Sequence, residues 1–301
     1  MLRSWIGGED RAGQAARSSR FQVRALERED QGLALAALDR NPIRDVFIAS
    51  RILHDGALTS LGPSPLWGAF DAGQQLRGLL HVGPNLVPAA DDQGACEALA
   101  AAAGSLYPTR MVVGERVTVE LLWSMIGSSY PAPREVRPRQ FVYALEPEWL
   151  AHGQVPKAPG MPRLAERSDE DRVLRLSAAM YTEEMGENPM ARDPDGYRRR
   201  VRMLISRGWT YVYEAYGDLQ FKMDVGCASD RTAQIQGVFV PPDLRGRGLG
   251  TTAMAACCAL AFARHPNLSL YVNDFNAPAI ALYERIGSRR EPFDFQTIML
   301  P

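Results

Sequence analysis

Apolar and polar positions divide this chain into two patterned runs, separated by Ala151–Pro162, where periodicity lapses and Gly153, Pro156, Pro159, Gly160 and Pro162 crowd together. Beyond that stretch, a short strand is expected at 162–167, then a helix over 169–185 and a second over 194–207 with arginines along one face. Trp209–Tyr216 and Leu219–Val225 read as the arms of a hairpin across Gly217-Asp218. Ala233–Val240 reads as a strand stopped by Pro241-Pro242, because proline brings no N–H to a ladder. Gly248–Arg264 has helical period and stops at His265-Pro266-Asn267. Leu268–Val272 is a strand, and Ala277–Ile286 a helix followed by Gly287. Strand, loop, helix, strand, helix in that order predicts an α/β layer arrangement containing one parallel strand pair.

The first run echoes the second. Val23-Arg24-Ala25-Leu26-Glu27-Arg28-Glu29-Asp30 opens one, and Pro162-Arg163-Leu164-Ala165-Glu166-Arg167-Ser168-Asp169 opens the other. Leu122-Trp123-Ser124-Met125-Ile126-Gly127 answers Leu282-Tyr283-Glu284-Arg285-Ile286-Gly287, and the β-like runs Gln140–Leu145 and Phe295–Leu300 close the two halves. Three matches in one order predict a duplicated fold. The expected division is a disordered tail over 1–20, an N-terminal domain over 21–150, a linker over 151–161 and a C-terminal domain over 162–301.

Composition narrows the function. A chain of 301 residues has room for two domains, and 46% apolar with 23% charged residues is ordinary for a globular protein. A net charge of -1 gives no electrostatic reason to expect nucleic acid or an anionic membrane as partner. Cys96, Cys227, Cys257 and Cys258 form no C-x-x-C pair, so no metal site is expected and a reducing, cytoplasmic setting is. No apolar run has the length to cross a bilayer.

Candidate chemistry concentrates in Val238-Phe239-Val240-Pro241-Pro242-Asp243-Leu244-Arg245-Gly246-Arg247-Gly248-Leu249-Gly250, a Gly-rich turn between a strand and a helix start. A helix N-terminus presents unpaired N–H groups and the positive end of its dipole, which together make an anion site. Glycines let those amides approach phosphate oxygens closely. Arg245 and Arg247 can add charge, and Thr251 and Thr252 hydroxyl donors. Neither a P-loop nor a dinucleotide fingerprint fits the spacing.

This loop resembles the [Q/R]-x-x-G-x-[G/A] signature of the GNAT superfamily of acetyl-CoA-dependent N-acetyltransferases, filled by Arg245, Gly248 and Gly250. Asn276-Ala277-Pro278-Ala279-Ile280-Ala281-Leu282-Tyr283-Glu284-Arg285-Ile286-Gly287 matches that superfamily's N-x-x-A-x-x-L-Y-x-x-x-G at every fixed position. The resemblance covers about residues 162–301. It implies tandem GNAT-like domains, each a mixed, mostly antiparallel sheet flanked by helices. In the C-terminal one, Ala233–Val240 and Leu268–Val272 would be splayed. The pantetheine of acetyl-CoA would pair with the backbone of Val238, Phe239 and Val240, and its pyrophosphate would sit on Arg245, Gly246, Arg247, Gly248, Leu249, Gly250 and Thr251. Asn276 would contact the pantetheine or order the last helix.

The implied reaction is direct attack of a primary amine on acetyl-CoA in a ternary complex, with Tyr283 as general acid toward the departing thiolate. The oxyanion donor is expected to be the backbone N–H of Val240 or its neighbour. Where many such enzymes carry a fourth-strand carboxylate, this chain has Gln234 and Gln236, neither of which can take a proton. Glu183, Glu184, Glu214 and Asp224 remain, each read alone as a solvated surface charge, and the expected base is a water relay ending at Glu183 or Glu184. The acceptor is a small-molecule or protein amine, no metal is expected, and the protein is expected as a monomer or homodimer. A competing reading is an acetyl-CoA sensor with vestigial transfer; a weaker one is a nucleotide-binding protein using the same loop.

The counterpart loop in the first half falls at Val87-Pro88-Ala89-Ala90-Asp91-Asp92-Gln93-Gly94, where two aspartates replace the arginines and no cation is local. Trp123 stands at the Tyr283 position. The first half therefore reads as a degenerate GNAT-like domain that does not bind coenzyme A.

Overall fold

The computed structural model describes residues 20–58, 65–103, 109–150, 155 and 157–301. The expected tail, save Arg20 at its end, and much of the expected linker lie outside the described residues. The chain forms two compact units, Met1–Val142 with Pro292–Pro301, and Tyr143–Glu291.

The first unit runs β1 (Gln22–Ala25), α1 (Gln31–Leu38), α2 (Pro42–Asp55), β2 (Leu66–Phe70), β3 (Leu76–His81), β4 (Asn85–Ala90), α3 (Gln93–Ala103), β5 (Met111–Glu115), α4 (Arg116–Ile126) and most of β6 (Glu135–Leu145). Strands β1 to β4 are antiparallel neighbours in sequence, while β4 meets β5 in parallel over only Asn85↔Met111 and Leu86↔Val112.

The second unit opens on the last residues of β6 and continues with β7 (Met161–Leu164), α5 (Glu170–Met185), the single turn α6 (Pro189–Arg192), α7 (Pro194–Ser206), β8 (Thr210–Ala215), β9 (Asp218–Ala228) and β10 (Ala233–Phe239). Then follow α8 (Leu249–Ala261), β11 (Leu268–Asn273), α9 (Ala277–Arg285) and β12 (Arg289–Met299). The far end of β12 belongs to the first unit, where Phe295–Met299 pairs antiparallel with β5. A C-terminal run expected to close the second half thus completes the first.

Local chemistry explains these elements. Tyr216 and Gly217 both take positive φ, 56° and 82°, the geometry of a tight two-residue hairpin turn between β8 and β9. Asp193 caps α7 by accepting from the Gly196 N–H at 2.8 Å, with Pro194 in the first turn. The apolar stripes of α5 and α7, including Val173, Leu174, Val201 and Ile205, bury against Val212 and Leu219 of the sheet. The opening echo survives to the atom. Arg24 pairs with Asp30 at 2.6 Å and Arg163 with Asp169 at 2.5 Å, and Glu27/Asp30 and Glu166/Asp169 form matching capping boxes. This is an α/β fold of two units with mixed, mostly antiparallel sheets. All four cysteines are buried, and none is in a disulfide.

Candidate active site

Strands β10 and β11 pair in parallel only at Ala233↔Leu268 and Gln234↔Ser269. Beyond those two rungs they part, so the backbone of Val238, Phe239 and Val240 lies on the open side of the divergence. Its pairing with β9 also slips between Gln236 and Phe239, where Gly237 takes φ 61°.

The chain then turns through Pro242–Leu244 into α8. Gly246 (φ 76°) and Gly248 (φ 79°) occupy the left-handed region, and Gly248 is the N-cap, with no side chain bonding the first amides of the helix. Those amides are the donors an anion needs. Gly250 serves another purpose. A Cβ there would come 3.1 Å from Leu282 Cδ1 and 3.4 Å from Val240 Cγ2, so its hydrogen lets α8 pack close to α9. Leu249, Thr251 and Thr252 are buried at this corner, and Thr252 Oγ1 donates back to the Gly248 carbonyl.

Arg245 does not project freely from this loop. Its two terminal nitrogens donate to both Glu183 oxygens at 2.8 Å, its Nε donates to the Val240 carbonyl at 2.9 Å, and the guanidinium lies 5.3 Å from the Phe239 ring centroid. Arg247 is exposed. The Arg245 guanidinium holds the Glu183 carboxyl below the usual carboxylate range.

Tyr283 sits on α9 with 8% of its surface exposed. Burial pushes its phenol well above the usual range, and the nearby negative charge of Glu184 adds to the shift. A phenol so placed stays protonated at neutral pH. Tyr143 lies beside it, ring centroids 6.3 Å apart, and donates to Glu284 at 2.9 Å. Burial raises the Tyr143 phenol to about 12. Asn276 caps α9, its side-chain oxygen accepting from the Ala279 N–H at 3.3 Å.

The other carboxylates are engaged. Glu214 is paired with Arg163 at 2.5 Å and with Arg172 at 3.4 Å. Asp224 departs from its reading as a solvated charge. It is 6% exposed and accepts from Lys222, itself fully buried, at 2.6 Å. Sequence reading passed over Lys222. Gln220, Lys222 and Asp224 alternate with apolar residues in Leu219–Val225, so in the sequence they share the face that reads as solvated. Among the described residues no cluster of His, Cys, Asp and Glu suits a metal ion, and no helix is long and apolar enough to cross a membrane.

The model of the acetyltransferase (GNAT) family matches residues 192–287, which span the divergent strands, the glycine corner and α9. The C-terminal part of this chain is a GNAT acetyltransferase domain. A domain of unknown function, DUF4081, matches residues 64–158. The mycothiol acetyltransferase of Acidothermus cellulolyticus is 32% identical over 100 residues, a match spanning 32% of this chain and 31% of that protein. Among solved structures, a GNAT-family acetyltransferase from Colwellia psychrerythraea superposes with TM-score 0.55 at 13% identity, over 93% of this chain and 100% of that one. A tandem GNAT protein from the clavulanic acid biosynthesis pathway gives 0.57 at 15% identity, over 92% and 98%. A GCN5-related N-acetyltransferase from Sphaerobacter thermophilus gives 0.52 at 14%, over 94% and 96%. At these identities the likeness is one of fold.

Proposed function

We propose that the second unit transfers an acetyl group from acetyl-CoA to a primary amine by direct attack in a ternary complex. The observation that carries this reading is the divergence of β10 from β11 directly ahead of a helix N-terminus whose amides no side chain caps. Both features fit an extended thioester-bearing arm that ends in a pyrophosphate. Acetyl-CoA supplies the activated acyl group.

The chain's own residues divide the remaining work. Val238, Phe239 and Val240 offer backbone groups to the pantetheine, and Gly246 to Gly250 with Thr251 offer amides and a hydroxyl to the pyrophosphate. Arg247 adds positive charge beside the pyrophosphate, and Arg245 fixes the loop's shape by spanning Glu183 and the Val240 carbonyl. Tyr283, kept protonated by burial, donates its proton to the leaving sulfur. The water relay that deprotonates the amine ends at Glu183, which Arg245 also holds, or at Glu184. Asn276 orders the start of α9 and so the position of Tyr283. The substrate is a small-molecule or protein amine.

The test is an acceptor screen. Full-length protein is incubated with acetyl-CoA labelled in the acetyl group and with peptides, polyamines, aminoglycosides and amino sugars, and products are read by mass spectrometry. Labelled N-acetyl product supports the reading. Tight coenzyme A binding with no acetylated amine would replace it with an acetyl-CoA sensor.

A further inference from the structure

Strand β10 carries one residue more than β9 between the pairs Gln236↔Asp224 and Phe239↔Lys222. Gly237 sits in this bulge at φ 61°, and a Cβ there would come 2.7 Å from Asp224 Oδ2 and 3.0 Å from Lys222 Nζ. Lys222 has no exposed surface, and its Nζ donates to Asp224 Oδ2 at 2.6 Å and to the Gly237 carbonyl at 3.0 Å. The second Asp224 oxygen accepts from Thr210 Oγ1 at 2.9 Å. A charged pair withdrawn from water is a poor source of stability, and apolar residues of similar volume often serve as well or better. Its use here is geometric. What it holds is one peptide plane.

The peptide from Gly237 to Val238 is trans, so its carbonyl and the following N–H point in opposite directions. With the carbonyl held by the Lys222 side chain, the Val238 N–H points away from that ammonium, and β10 has no ladder to β11 at this level. We propose that Lys222 is a positioning residue of the acyl-transfer site. By holding the Gly237 carbonyl it aims the Val238 N–H into the divergence, as a donor to the thioester carbonyl of acetyl-CoA. Asp224 and Thr210 keep the ammonium in place, and none of the three side chains touches the substrate. The proposal rests on the function proposed above and moves its oxyanion donor from the expected Val240 or its neighbour to Val238.

Lys222→Met with Asp224→Leu removes the charged pair as a unit and leaves loop and helix untouched. The full chain is mixed with acetyl-CoA carrying ¹³C at the acetyl carbonyl, and infrared difference spectra are recorded. In the wild type the bound carbonyl band lies at lower wavenumber than that of free acetyl-CoA. In the double variant it returns toward the free position, while affinity by calorimetry stays within about threefold, less than half a decade of binding constant. Gly237→Ala, which crowds the same pair, shifts the band in the same direction. A double variant that unfolds cooperatively and keeps the wild-type band overturns the proposal while leaving cofactor binding by the loop standing. A wild type that binds no acetyl-CoA overturns both.

Discussion

The two units make the same corner twice and finish it differently. In each, a strand meets its parallel neighbour for two rungs, diverges, and turns into a helix: β4 against β5 before α3, and β10 against β11 before α8. In the second unit Gly246 and Gly248 leave the helix amides open. In the first, Asp92 accepts from the Ala95 N–H at 3.1 Å, supplying from the chain the anion that a helix N-terminus favours. Asp91 is tied to Arg44 of α2 at 2.7 Å and to Arg40, in the turn ahead of that helix, at 3.4 Å, cations absent from the local sequence. On the function proposed above, divergent strands alone therefore do not make a cofactor site. The seat must also be left empty of the protein's own carboxylates.

The largest expected effect tests the other end of the comparison, Tyr283 against Trp123. Trp123 offers an indole N–H, which is no acid, whereas Tyr283 offers a phenol kept protonated by burial. Tyr283→Phe preserves the ring and its packing. Turnover should fall roughly 10²-fold while coenzyme A affinity holds, as read by steady-state rates beside calorimetry. Unchanged turnover would assign thiolate protonation to solvent.

Next in size is the loop. Arg245→Glu sets a second acid beside Glu183 and removes the bond to the Val240 carbonyl. Coenzyme A affinity should drop at least about tenfold, or about 1.4 kcal/mol, with binding of the wild type fitting one site per chain. Two sites of similar affinity in the wild type would mean that Asp91 and Asp92 do not block the first unit.

Much of this corner was legible in the sequence because it depends on local rules. Proline stops β10, glycines permit positive φ, and Asn276 caps α9, each within a few residues of its effect. The opening echo was legible for the same reason, since Arg163 and Asp169 meet within one turn of chain. What escaped were long-range partners. Nothing near Glu183 announces Arg245, 62 residues on, and nothing near Asp91 announces Arg44. Lys222 was missed because a charge reads as solvated until the fold shows that its strand is covered on both faces.

A smaller effect follows from the cap in the first unit. Asp92→Ala exposes the α3 amides, and loss of such a cap costs about 1 kcal/mol. Hydrogen exchange should show weaker protection over Gln93–Ala103, with the binding stoichiometry unchanged. A new coenzyme A site appearing in this variant would show that one carboxylate alone had kept the first unit empty.

A last difference lies in how the units respond to pH. In the second unit, Asp169 and Glu214 are held below the usual carboxylate range by Arg163, and Glu183 by Arg245. Groups of this kind contribute stability above pH 4 that is lost as pH falls through their folded values. Asp45 of the first unit behaves in the opposite sense. Burial is the largest influence on it; Asp91 and Glu115 add to the upward push, Arg44 opposes it, and the carboxyl ends at about 6. Folding therefore binds a proton at Asp45 between about pH 4 and 6. The stability of the first unit attributable to this residue is complete below pH 4 and is lost as pH rises through 6. Asp45→Asn removes up to one proton from that balance. Relative to the wild type, the variant should gain stability on going from pH 4 to pH 7, measured by hydrogen exchange over α2 and β4 after correction for intrinsic rates. A variant whose difference from wild type is the same at both pH values would mean that the Arg44 guanidinium, 2.8 Å from Asp45, outweighs burial and keeps the carboxyl ionised throughout.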